Sequence, residues 1–150
     1  MTKENETIRK HLRRVLKDPH VRQMKRYTQH GKVSTYDHCK SVTRLSYRIN
    51  RALHLHADES RLLHGAMLHD FFLYDWHAHD DGSHRLHGFH HADVAAKNAQ
   101  DLLHVDEKVS HIIQTHMWPL NITKVPRSRE AWIVCLADKV CSVRETLLDR

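Results

Sequence analysis

Along most of this chain the apolar residues return every three or four positions, and little interrupts them: 150 residues contain four glycines and three prolines. Apolar side chains at that spacing fall on one face of a helix, whereas a half-buried strand needs strict alternation. The pattern predicts an all-α protein, with helices over residues 6–17, 20–29, 35–54, 58–72, 91–104, 106–117 and 128–148. Ser34 followed by Asp37 looks like a capping box, Asp58 and Asp106 suit helix N-caps, and Pro119 stops the sixth helix. One long irregular piece remains, DWHAHDDGSHRLHGF at 75–89.

The length suits one domain with one core, and no Ser/Gly/Pro-rich linker divides it. No apolar stretch approaches the roughly 20 residues that span a bilayer, and MTKENETIRKHLRR lacks the apolar segment of a secretory signal. Cys39, Cys135 and Cys141 form neither an even disulfide set nor a Cys-x-x-Cys pair, which fits free thiols in a reducing compartment. A soluble, cytoplasmic protein is expected, with no membrane partner. The formal charge of +6 raises the question of nucleic acid. Ile8, Leu12, Val15 and Leu16 recur at helical spacing, however, so Arg9, Lys10, Arg13, Arg14 and Lys17 read as the solvated face of an amphipathic helix. A nucleic-acid partner is not expected.

What stands out is 17 histidines, which the helical rows sort. His38 lies in line with Val42, Leu45 and Ile49. His69 continues Leu62, Ala66 and Leu73, while its neighbour Asp70 continues Leu63 and Met67. His91 shares a face with Ala95, Ala99 and Leu102, His116 with Val109, Ile112 and Ile113, and Asp138 with Ala131, Val134 and Cys135. Each is a polar side chain on an apolar stripe. His11, His20, His30, His54, His56, His64, His104 and His111 fall on polar faces or helix ends and read as surface. His77, His79, Asp80, Asp81 and His84 read as a solvated loop.

A lone inward histidine is usually a hydrogen-bonded core residue, but two inward aspartates need cations, and no lysine or arginine occupies a comparable inward row. A divalent metal answers this, because imidazole with carboxylate is the ligand set of iron, manganese, cobalt or zinc. Six such groups exceed the three or four protein ligands of a zinc site and suit two metals with open positions.

The order His, His-Asp, His, His, Asp on successive helices resembles the HD superfamily of metal-dependent phosphohydrolases, over about residues 33–146. The resemblance implies a single all-α bundle of about six or seven helices over 1–150, with 1–32 as an N-terminal helical extension and 33–150 as the metal-binding core. It implies a first metal on His38, His69, Asp70 and Asp138, and a second on His91 and His116 with Asp70 as the bridge. The cofactors would be two divalent ions, Fe, Mn or Co foremost, with Zn or Ni as further options. HGFHHADVAAKNA, THMWPL and CLADKVCSVRET look like a bacterial subgroup of that superfamily. The closing ADK with Arg144 is similar to the HD-type diadenosine tetraphosphate hydrolases, although these usually carry an acidic residue where this chain has Cys141.

Three assignments go with this reading. His91 is preferred to His87 or His90 as the ligand, with His87 kept as a substrate-side group. Asp70 is catalytic through the metals, and Lys139 and Arg144 are candidates to hold phosphate. Cys39 beside His38 is discounted as a nucleophile, since a ligand His38 cannot also be its base. The expected substrate is a small phosphorylated metabolite or nucleotide, with loss of metal and activity on acidification near pH 6. A di-iron oxygenase of the same fold, such as myo-inositol oxygenase, and a non-catalytic metal sensor are the other readings. A homodimer through the N-terminal helices is a further expectation.

Overall fold

The computed structural model describes residues 1–75 and 83–148, without the side chains of residues 83–87 and 89. The described elements are α1 (Lys3–Leu12), α2 (Pro19–Gln23), β1 (Thr28–His30), β2 (Val33–Ser34), α3 (Thr35–Ala52), α4 (Glu59–Leu68), α5 (Ser83–Leu103), α6 (Glu107–Thr115) and α7 (Arg129–Leu148). The fold is all-helical apart from one two-stranded hairpin. No helix among the described residues is long and apolar enough to cross a membrane.

The helix starts expected from short polar side chains are all present. Ser34 Oγ accepts the Asp37 amide at 3.1 Å, Asp58 Oδ1 the Arg61 amide at 2.9 Å, and Asp106 Oδ1 the Val109 amide at 2.8 Å. Each takes up a first-turn N–H that the helix itself leaves without a partner. Asp18 does the same for α2, with Pro19 at its first position.

The sequence expectation fails in four places. Residues 20–29 are not one helix: α2 stops at Gln23, a 3₁₀ turn follows at Met24–Arg26, and Thr28–His30 pairs with Val33–Ser34 around Gly31, whose φ of 54° suits a residue without Cβ. The helix expected over 6–17 ends at Leu12, with a 3₁₀ turn at Val15–Lys17. The fourth helix ends at Leu68 rather than 72. Phe71 and Phe72 are buried beyond its end, and the Asn98 amide donates to their carbonyls at 3.0 and 3.3 Å. The fifth begins at Ser83, eight residues before His91, which shortens the irregular piece. His77, His79, Asp80 and Asp81 lie outside the described residues, as do the side chains of His84 and His87.

Helix α4 is apolar on nearly every side because it stands between two cores. Leu63 and Met67 pack with Leu12, Val21 and Met24 from the N-terminal segment and with Ala95, Ala96 and Ala99 of α5. Leu62 and Ala66 pack with Val42, Ile112 and the α7 residues Ala131, Val134 and Ala137. Ile8, Leu12, Val15, Val21 and Met24 thus join the core from the N-terminal segment, while Arg9, Lys10, Arg13, Arg14 and Lys17 are exposed as their pattern predicts. The same central helix delivers His69 and Asp70 to the middle of the molecule.

Gly65 lets α6 come close to α4. A Cβ at this position would lie 2.5 Å from Ile112 Cγ2, and the rings of His69 and His116, at the ends of these helices, are 4.8 Å apart. Gly65→Ala is expected to lower stability by about 1–3 kcal/mol through overpacking, measured by thermal unfolding. An unchanged melting temperature would show that the two helices tolerate a wider spacing.

Candidate metal centre

His69 and His116 are placed by the same device. Each is the residue just after the last turn of its helix, and each Nδ1–H donates to the carbonyl three residues back, Ala66 O and Ile113 O, both at 2.7 Å. A carbonyl only accepts, so the proton is on Nδ1 and Nε2 carries a lone pair. His38, from the first half of α3, gives its Nδ1–H to Glu145 Oε2 at 2.7 Å, leaving its Nε2 as the lone-pair nitrogen too. His91 comes from α5 and Asp138 from α7. His38, His69, Asp70, His91, His116 and Asp138 are all buried, none more than 7% exposed.

Acceptor atoms therefore face one another. His38 Nε2 lies 3.0 Å from Asp138 Oδ1 and 3.3 Å from His69 Nε2, while His91 Nε2 and His116 Nε2 are 3.0 Å apart. Asp70 stands between the two sets. Its Oδ2 is 3.2 Å from His69 Nε2 and 3.6 Å from His38 Nε2; its Oδ1 is 3.2 Å from His91 Nε2 and 3.4 Å from His116 Nε2. Oδ1 is nonetheless buried without a properly directed hydrogen bond. Lone pairs crowded in this way are stable only with cations among them, either protons or metal ions. The donors fall into two sets fit for a borderline divalent ion: His38, His69, Asp70 and Asp138, and Asp70, His91 and His116.

With protons alone, the charges arrange themselves accordingly. Burial penalises the His38 cation, but hydrogen bonds to Asp138 and Glu145 outweigh it and raise its pKa to about 10. Burial is likewise overcome at His69, raised well above its ordinary value by Asp70 and Asp138. Asp70 and Asp138, which burial alone would raise, are held well below the usual carboxylate range by the surrounding imidazoles. His116 is different: burial keeps it below its ordinary value despite Asp70, and so it is neutral near pH 7.

Comparison with protein families decides the relationship, since the model of the HD domain matches residues 35–142. The chain belongs to the HD domain family. Its members are mostly metal-dependent phosphohydrolases, and the buried His/Asp group fits such a metal site. The match is to the HD domain as a whole and does not single out the diadenosine tetraphosphate hydrolases. No curated protein and no solved structure matches the chain.

Around the HD-domain centre the other predicted residues are placed as follows. Lys139 turns its ammonium to the His116 carbonyl at 3.1 Å and to Cys135 Sγ at 3.2 Å, so in this structure it fastens the end of α6 to α7. Arg144 is exposed on α7 beyond Asp138, and His90, the rival to His91, is also exposed. The side chain of His87 is outside the described residues.

Three residues at the centre escaped the sequence reading. Gln29 Nε2 donates to Asp70 Oδ2 at 2.9 Å while its carbonyl oxygen takes the Thr35 hydroxyl at 3.3 Å, which orients the carboxylate. Glu145 holds His38. His30, read as surface, has its ring 5.6 Å from that of His38. Gln29 and His30 sit in the unpredicted hairpin, where no helical row could reveal them. Glu145 continues the row of Asp138 at i+7, a signal that was available.

Proposed function

We propose that this HD-domain protein is a phosphohydrolase whose centre takes two divalent ions on His38, His69, Asp70, His91, His116 and Asp138. Its substrate would be a phosphate ester or anhydride of a small metabolite or nucleotide. The observation that supports this reading most directly is the division of Asp70, one oxygen toward each set of imidazoles. Divalent ions held there supply Lewis acidity toward phosphoryl oxygens and bring the deprotonation of water near neutral pH.

The chain's own part is to fix that centre. His69 and His116 are oriented by backbone carbonyls, His38 by Glu145 and Asp70 by Gln29, an outer set of partners of the kind that tunes metal sites. Lys139 acts on His116 through its carbonyl, and Arg144, exposed on α7 beyond Asp138, is the group proposed to receive substrate phosphate. No protein nucleophile is needed. Cys39 is buried against His69 Nδ1, whose hydrogen already goes to Ala66, and burial pushes the Cys141 thiol up to about 11, away from a thiolate at neutral pH.

The test is metal analysis of protein purified without chelator, followed by a phosphate-release screen over nucleotides and phosphomonoesters with Mn²⁺ or Co²⁺. At least two ions per chain and release of phosphate are expected. Oxygen uptake that requires iron, without phosphate release, would replace this reading with an oxygenase. Metal binding with neither activity would leave a sensor.

A further inference from the structure

The family match begins at residue 35 and ends at 142, and just outside each end a polar side chain reaches back toward the centre. His30 closes β1; Glu145 lies on α7, seven residues beyond Asp138. Both are near His38: Glu145 Oε2 accepts from its Nδ1 at 2.7 Å, and the His30 ring lies 5.6 Å from its ring. One ligand atom from each of His30, His38 and Glu145 lies within 4.8 Å of the other two.

Among the described residues, two atoms of this group have no partner. Glu145 uses Oε2 for His38, but its Oε1 is buried with no hydrogen bond, and His30 Nε2 is buried with none either. A buried polar atom without a partner is destabilising, the more so where it is charged. Pairing the two directly would satisfy both, and the structure does not do so. A neutral imidazole beside a carboxylate oxygen is the donor chemistry of a borderline divalent ion such as Mn²⁺, Fe²⁺, Co²⁺ or Zn²⁺.

We propose that His30 and Glu145 hold a third divalent cation outside the two-ion centre proposed above, with His38 as the wall common to both. This rests on the two-ion reading for the neighbouring centre. The ion's ligands are the His30 imidazole and the Glu145 carboxylate, with water in the remaining positions. His38 stays on the centre through Nε2 and keeps its Nδ1–H on Glu145, so one carboxylate serves the ion and the imidazole together.

The experiment counts Mn²⁺ per chain after equilibrium dialysis of the 150-residue chain, for the natural sequence, His30→Gln and Glu145→Gln. A crystal of the Mn²⁺-loaded natural protein, measured at the manganese edge, gives the positions. Three ions are expected for the natural sequence and two for each variant, with an anomalous peak between His30 and Glu145. His30→Gln is the sharper variant, since Glu145→Gln also touches His38. Saturation at two ions with no peak there would overturn the third site while leaving the two-ion reading intact. So would a His30→Gln protein that still takes three. A natural protein that binds no Mn²⁺ would overturn both. Should a variant fail to fold, judged by helical circular dichroism, the anomalous map of the natural protein decides.

Discussion

Replacing Asp70 with alanine is expected to empty both halves of the centre at once, whereas His91→Ala should remove only the half built with His116. The reason is geometric. Among the described residues, Asp70 is the single side chain with an oxygen against each set of imidazoles, at 3.2 Å from His69 on one side and 3.2 Å from His91 on the other. His91 touches one set, and the group of His38, His69, Asp70 and Asp138 survives its loss. Removing an outer partner of a metal ligand lowers affinity or activity by roughly 10- to 100-fold; loss of the shared ligand should exceed that. Metal content and phosphate-release rate, measured side by side on the two variants, check the expectation. An Asp70→Ala protein with its full metal complement would show that the carboxylate does not bridge.

The second large effect is on pH. In the metal-free protein the imidazolium of His38, raised to about 10, and that of His69, raised well above its ordinary value, are paired with Asp70, Asp138 and Glu145. Groups with raised folded-state pKa values give stability that is complete below about 6.5 and is lost as pH climbs toward the folded value. The lowered carboxyls of Asp70 and Asp138 give the opposite limb, present above about 4 and lost below it. Metal-free protein should therefore lose stability progressively above neutrality. Metal binding has to displace these protons, so its apparent affinity should rise by about tenfold per pH unit for each proton released. Competition with protons thus extends well above the pH 6 expected from ordinary histidines. The gain in melting temperature on adding Mn²⁺, relative to chelator-treated protein, should grow from pH 6 through 7.5 to 8.5. A constant or shrinking gain would mean that the ions do not occupy the imidazole positions.

The six inward residues could be read from the sequence because each interrupts an apolar row on a helix, and a helical row needs no knowledge of the partner it packs against. The ends of the elements were less legible. Phe71, Phe72 and Leu73 extend the apolar run past His69, yet the helix stops at Leu68, because burial continues after helical hydrogen bonding has ended. The pattern reports burial, and His69's own bond to Ala66 marks the stop. Gln29 and His30 were invisible for a different reason. The hairpin that aims them is set by Gly31 and by pairing with Val33 and Ser34, and two- and three-residue strands carry almost no period. Glu145 and Lys139 could be located on α7, but their roles depend on what faces them across the bundle, His38 from α3 and the carbonyl of His116 from the end of α6.

Both α4 and α6 terminate at the centre, at His69 and His116. The carboxyl end of a helix acts like about half a negative charge, so two such poles are trained on a spot that already contains Asp70 and Asp138. Once the His38 and His69 imidazoliums have given up their extra protons, a phosphate approaching the metal-free centre would meet a field of its own sign. Under the proposed function, occupation of this centre would consequently have a direction: cations enter an attractive field first and reverse it, and only then would an anionic substrate find a place to settle.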